Sequence, residues 1–201
     1  MRILRERRNV MENKKCNCGE LRKENAGQKV CVNGWYENLR RVSKNLGFLI
    51  LRDFYGIVQI VLESEEMLER LREINRESTL AVTGTVRVRS SKNDEMPTGE
   101  IEVVPERIEV LGRCKYEELP FEIRRSKEAE ENIRLKYRYL DLRNPAVKDN
   151  IVLRSRVTAE LRRRMEELGF LEITTPILTA SSPEGARDYL VPSRNFPGSF
   201  Y

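Results

Sequence analysis

The sequence predicts an α+β fold in two parts: a five-stranded β-barrel carrying one helix, followed by a long amphipathic helix that runs into a buried strand. Three observations carry this. The stretch Gln28 to Asn38 alternates apolar and polar residues, the period of a half-buried strand, four further short apolar-rich stretches read as strands, and a single stretch between the third and fourth strands has apolar residues at helical spacing. After residue 144 the apolar positions recur at three- and four-residue steps, with one longer gap, over some six turns. At Gly169 that helical period stops.

Taken in order, residues 1–15, MRILRERRNVMENKK, form a polar, basic extension. It has no apolar h-region, so it is no secretory signal, and it is expected to be unstructured. Gln28 to Asn38 is the first strand, with Gly34-Trp35 marking a bend or bulge. A loop with Arg40, Arg41 and Lys44 follows. Phe48 to Arg52 and Gly56 to Leu62 are two strands joined by the hairpin turn Asp53-Phe54-Tyr55. In Glu65 to Arg76, Met67, Leu68, Leu71 and Ile74 share one helical face. Leu80 to Arg89 and Glu100 to Leu111 are the last two strands, separated by the polar loop Lys92 to Thr98. Three strands, a helix and two strands within about ninety residues is the order of an OB-fold barrel whose helix plugs one end. A five-stranded sandwich of similar length shares that order.

This barrel domain occupies residues 16–112. Residues 113–133 are a charged hinge in which Leu119, Phe121 and Ile123 are expected to pack, and residues 134–201 open a second domain. There Val147, Ile151, Val157, Leu161, Met165 and Leu168 form the apolar stripe of a helix. Asn144 fits its N-cap, Pro145 its first turn and Gly169 its C′ position. Phe170, Leu171, Ile173, Ile177 and Leu178 then read as a buried strand, which Pro176 confines to an edge or an interface.

With 39% hydrophobic and 34% charged residues and no apolar run of membrane length, the expectation is a cytoplasmic protein without a membrane partner. A net charge of +5, from 37 Lys and Arg against 32 Asp and Glu, suits a polyanionic partner. Cys16, Cys18, Cys31 and Cys114 are too scattered for a disulfide framework or a zinc ribbon, so reduced thiols and no metal site are expected. The chain has no histidine. That excludes Ser-His-Asp, Cys-His and His-based zinc chemistry from within it.

Gly169-Phe170-x-x-Ile173-x-x-Pro176-Ile177-Leu178 resembles motif 1 of the class II aminoacyl-tRNA synthetases, the helix-strand unit of their dimer interface. The run Ser182-Pro183-Glu184-Gly185-Ala186-Arg187-Asp188-Tyr189-Leu190-Val191-Pro192-Ser193-Arg194 resembles the bacterial-type aspartyl-tRNA synthetases in particular. So do Cys18-Gly19-Glu20-Leu21-Arg22, Gly34-Trp35, Arg52-Asp53-x-x-Gly56-Ile57-Val58-Gln59 and Val82-Thr83-Gly84-Thr85-Val86-Arg87, which are similar to their anticodon-binding domain. Arg134 to Arg143 resembles the opening of the catalytic domain shared by aspartyl-, asparaginyl- and lysyl-tRNA synthetases.

The resemblance implies an OB-fold anticodon-binding domain, then the start of a class II antiparallel-sheet catalytic domain. It implies aspartate-tRNA ligase activity with ATP and Mg²⁺, and as partners aspartate tRNA, L-aspartate and a second copy in a homodimer through Gly169 and Pro176. It places Phe48 as the ring that stacks an anticodon base and Gln59, Arg89 and Glu102 as readers of base edges, with Arg40 and Arg41 near the RNA backbone. From the residues alone, without the resemblance, Phe48 reads first as barrel core and Glu102 as an exposed strand position. Glu184 matches the mobile-loop carboxylate that reaches the ammonium of bound aspartate. The motif 2 and motif 3 arginines that grip ATP would lie after Tyr201, so residues 1–201 are expected to contain no catalytic residue and to be inactive alone. Two other readings are compatible with the sequence: a non-catalytic tRNA-binding OB protein with a dimerisation arm, and an enzyme that also charges asparagine tRNA.

Overall fold

The computed structural model describes residues 14–178 and 189–200. The chain forms two compact units, Met1–Arg143 and Asn144–Tyr201.

The first unit contains β1 (Lys14–Cys16), β2 (Lys29–Arg41), β3 (Gly47–Arg52), β4 (Ile57–Leu62), α1 (Glu65–Arg72), β5 (Thr79–Val88) and β6 (Ile101–Gly112). β2 pairs with β3, β3 with β4, β4 with β6, β6 with β5, and β5 again with β2. Five strands therefore close on themselves in the connectivity of an OB-fold, with α1 between the third and fourth. The alternation read from the sequence is what fills the ring. Val30, Val32, Leu49, Leu51, Val58, Ile60, Leu62, Leu80, Val82, Val86, Ile101 and Val103 all face inward, and Leu68, Leu71 and Ile74 from α1 and its C-terminal turn join them.

Three local expectations are corrected. Lys14 and Lys15, placed in the unstructured extension, belong to β1, which runs parallel to β2 with Lys14 opposite Val30. The partner β3 reaches only as far as Trp35, so the first half of β2 offers an edge for a further strand. The bulge falls not at Gly34-Trp35 but between Tyr36 and Asn38. Gly34 is instead a close approach, since a Cβ there would stand 2.4 Å from the Arg52 carbonyl oxygen. Finally, α1 ends at Arg72 rather than Arg76, and the chain turns so that Glu77 takes a φ of +65°.

The hairpin between β3 and β4 is built by Asp53. Its carboxylate accepts the N–H groups of Tyr55 at 2.7 Å, Gly56 at 2.9 Å and Cys18 at 2.6 Å. Burial, then the Asp53 charge, push the Cys18 thiol above its ordinary range. Cys18 is therefore a protonated core residue.

Beyond the barrel come a 3-10 segment (Ile123–Glu128), α2 (Glu131–Lys136) and α3 (Arg138–Asp141). Phe121, Ile123 and Leu140 are buried together, with Leu119, Ile133 and Tyr137 against them, as the hinge sequence predicts. Beside them Asp141 is fully buried. It accepts hydrogen bonds from Ser126 Oγ at 2.6 Å, from Arg134 Nε and Nη2 at 3.3 Å each, and from Arg138 Nη1.

The second unit opens with α4 (Pro145–Glu167). Asn144 Oδ1 accepts the Ala146 N–H at 3.0 Å as its N-cap. At the other end Gly169 has φ +84°, the Gly169 N–H bonds the Glu166 carbonyl and the Phe170 N–H bonds the Met165 carbonyl, a complete Schellman closure. Gly169→Ala is expected to cost about 1 kcal/mol, because alanine resists a left-handed backbone, and Gly169→Asn less. Amide exchange at Gly169 and Phe170 measures it, and equal protection in the alanine variant would contradict it. Ile151, Val157, Leu161, Met165 and Leu168 of the stripe are exposed. The strand expected over Phe170 to Leu178 does not form: no strand among the described residues runs beside it, Pro176 has no N–H to offer, and Phe170, Leu171, Ile173, Ile177 and Leu178 are exposed. Glu184, with all of residues 179–188, lies outside the described residues.

Candidate nucleic-acid interface

Side chains that alternate with the barrel core point outward, and strand register lines them up across four seams. Arg40 on β2 stands opposite Phe48 on β3, which stands opposite Val61 on β4. One step along, Asn38, Ile50 and Gln59 form a second row. That row continues over the β4–β6 seam, where Gln59 Nε2 donates to Glu102 Oε2 at 3.0 Å. It ends on β5 with Arg87, paired in register with Glu102 and donating to its Oε1 from Nε at 3.1 Å and Nη2 at 2.8 Å. Arg87 also reaches Glu63 Oε1 at 2.7 Å.

Phe48 lies on the outer side of the sheet rather than in the core. Its neighbours Gly47 and Leu49 are buried and Phe48 is half-buried, outside the core set, with the Arg40 guanidinium 5.3 Å from its ring centroid. Gln59 and Glu102 are both buried, although neither faces the core. Arg89, one turn of the pleat beyond Arg87, sends its backbone N–H to the Glu100 carbonyl at 2.9 Å. Its Nη1 is buried without a hydrogen-bond partner among the described residues, a cost of about 1 to 3 kcal/mol that an incoming acceptor would relieve. Arg41 points elsewhere. It bonds the Ser43 and Lys44 carbonyls at 3.1 and 3.0 Å and Glu69 on α1 at 2.6 Å, so it folds back over the hairpin rather than joining Arg40. Gly169 and Pro176 lie in the second unit.

Sequence reading passed over Arg87 as a site residue, and Glu63 with it. The signal was present, since Arg87 shares a strand face with Arg89 and a carboxylate buried on a basic face needs a cation beside it.

Among the described residues no three His, Cys, Asp or Glu side chains converge as a metal site, and no helix is long and apolar enough to cross a membrane.

Residues 30–111 match the family model of the OB-fold nucleic acid binding domain, and residues 130–201 match that of tRNA synthetases class II (D, K and N). The first match is to a nucleic-acid-binding module and the second to a class II synthetase module, in that order along the chain. Relatives narrow this. The chain is 49% identical over 187 residues to the aspartate-tRNA(Asp/Asn) ligase of Gluconobacter oxydans, covering 92% of this chain and 31% of that protein. It is 45% identical over 198 residues to the aspartate-tRNA ligase of Clostridium perfringens, covering 97% and 32%. The chain is thus similar to the N-terminal third of bacterial aspartate-tRNA ligases and spans about a third of the length of these relatives. In fold it is similar to the asparaginyl-tRNA synthetase of Pyrococcus horikoshii, with a TM-score of 0.76 and 29% identity over 90% of this chain and 41% of that one. It is also similar to the aspartyl-tRNA synthetase of Entamoeba histolytica, with a TM-score of 0.75 and 22% identity over 86% and 42%.

Proposed function

We propose that the full-length protein is an aspartate-tRNA ligase and that the outer face of the barrel formed by β2 to β6 reads the anticodon. The ligase activates aspartate with ATP and Mg²⁺ as aspartyl-adenylate, then passes the aminoacyl group to the terminal ribose of the tRNA. The observation that carries the anticodon reading is the outward row itself: an aromatic ring flanked by Arg40, then Gln59, Glu102 and Arg87 in contact, then Arg89 with a guanidinium N–H unsatisfied. Single-stranded RNA needs this combination, a platform for an unstacked base and polar groups along its edge. Glu102 is the discriminating group, because a carboxylate repels phosphate and is favoured only where a base presents N–H donors. Gln59 and Arg87 fix its orientation beforehand, so less ordering is left for binding.

On the same reading, Glu184 receives the ammonium of aspartate, and the exposed stripe of α4 with the Gly169–Pro176 segment meets a second copy in a homodimer in the cytoplasm. A wider specificity has support from names: relatives at 49% and 50% identity, from Gluconobacter oxydans and Thermotoga neapolitana, are aspartate-tRNA(Asp/Asn) ligases. Charging of asparagine tRNA by the full-length protein decides between the two specificities.

The direct test is Glu102→Gln with anticodon stem-loops that differ at one base each. Preference at one anticodon position is expected to relax by about tenfold, the scale of one good base contact, while binding to the remaining variants changes less. Equal loss for every stem-loop would remove Glu102 from base reading.

A further inference from the structure

Away from the anticodon face, the barrel and the segment after it are joined by a cluster of buried charges around Trp35, and its centre is Glu77. Glu77 is the one non-glycine residue with positive φ among those described. Its backbone N–H bonds the Tyr36 carbonyl at 2.7 Å, which holds the turn against β2. The carboxylate, 3% exposed, receives Arg52 Nη2 and Arg143 Nη1 at 2.5 Å each, one guanidinium on each oxygen. Both guanidiniums also lie over the Trp35 ring, at 5.4 Å for Arg52 and 4.2 Å for Arg143. Arg52 Nη1 reaches the Arg143 carbonyl at 3.4 Å, and Arg52 Nε reaches Glu37 Oε2 at 2.9 Å.

Two further pairs lie beside it. Arg124 Nε donates to Glu37 Oε1 at 2.7 Å, and Arg76 grips both oxygens of Glu122 at 2.8 and 3.0 Å. Trp35, Glu37, Arg52, Arg76 and Glu77 come from the barrel; Glu122, Arg124 and Arg143 come from the segment that follows it.

Buried ion pairs add little stability over an apolar contact of the same size, and a left-handed non-glycine residue costs about 1 kcal/mol or more. What such a cluster supplies is one geometry, because a bidentate carboxylate and two stacked guanidiniums are satisfied in only one arrangement. The residue so fixed is Arg143, immediately ahead of the Asn144 cap of α4.

We infer that Glu77 is a positioning residue for the tRNA-dependent step of the reaction. By clamping Arg143 onto Trp35 it fixes the residue at which the chain leaves the RNA-reading barrel and passes into α4. The inference rests on the ligase reading above. Activation of aspartate takes place without tRNA and does not need the clamp.

The test is Glu77→Gln in the full-length protein, which keeps side-chain size and backbone and removes the charge. Aspartate-dependent pyrophosphate exchange without tRNA is expected to be unchanged. The turnover for charging tRNA is expected to fall about tenfold or more, the scale of a modest misplacement, with the KM for tRNA nearly constant. Unchanged charging, or exchange and charging falling together, overturns the inference. The clamp itself is read from Trp35, the only tryptophan in residues 1–201. In that polypeptide Glu77→Gln should increase acrylamide quenching of its emission, and unchanged quenching overturns the clamp. Absence of pyrophosphate exchange in the unaltered full-length protein would sink the ligase reading and leave the quenching result standing. Should Glu77→Gln fail to fold, Arg143→Lys keeps the charge, loses the planar stack and is judged by the same readouts.

Discussion

Replacing Phe48 with alanine is expected to weaken binding of the aspartate tRNA anticodon stem-loop by tenfold or more, since stacking one base on an aromatic ring contributes about 1 to 3 kcal/mol. The barrel should hardly notice. Phe48 lies outside the buried set formed by Leu49, Leu51 and their partners, so its truncation leaves no cavity. Fluorescence anisotropy of a labelled stem-loop gives the affinity, and thermal unfolding of the same sample gives the control. Unchanged affinity, or a barrel that melts early, returns Phe48 to a packing role. Arg40 follows with a smaller effect, because with the ring gone its guanidinium keeps its charge and loses its support.

The second large effect is on stability and turns on Asp141. Burial alone would raise its carboxyl pKa, yet the hydrogen bonds from Ser126 and Arg134 and the charges of Arg134 and Arg138 outweigh burial and hold it below the ordinary carboxylate range. Asp141→Asn leaves two guanidiniums facing a neutral amide. Losing one partner of a buried pair costs about 3 to 5 kcal/mol, and about 2 kcal/mol is the better expectation here because the arginines reach water. Their side chains are 25% and 41% exposed. The pH dependence has a definite sign. A carboxylate whose folded pKa is depressed stabilises fully above its unfolded value, near pH 4, and that contribution is lost as pH falls through the folded value. Urea unfolding at pH 7 should therefore separate the two proteins. Near pH 3 the gap should narrow, and a gap constant with pH would show that Asp141 acts by packing alone.

How far the sequence was legible follows from the range of each signal. Strand alternation and helical spacing are local, and they placed β2 to β6 and α1 within a few residues. The Asn144 cap and the Gly169 closure were equally legible, because each depends on residues within one turn of the helix. What failed depends on partners far along the chain. β1 exists because β3 leaves one edge of the first half of β2 open, and the Phe170 to Leu178 strand is missing because no described strand runs beside it, which one segment's sequence does not reveal. Among candidate site residues, Phe48, Gln59 and Glu102 were named from motif likeness, and strand register sets them on the outer face of the barrel. Arg87 and the Glu77 cluster were not, because a buried carboxylate reveals its cation only when register brings the two together.

The seam between β4 and β6 carries one register pair, Ile60 with Val103, and it is crossed by the Gln59–Glu102 hydrogen bond. Every other junction in the ring has several. The barrel is thus most easily unzipped at the place proposed above to read RNA, and the side chains proposed to recognise a base are also the stitches across that opening. A base that takes a hydrogen bond from this pair must lend one back across the gap or let the strands part. On the anticodon reading proposed above, sequence preference and mechanical closure of the ring are one equilibrium, so a matched anticodon should slow amide exchange along β4 and β6, while a mismatched one of equal charge should leave the seam breathing.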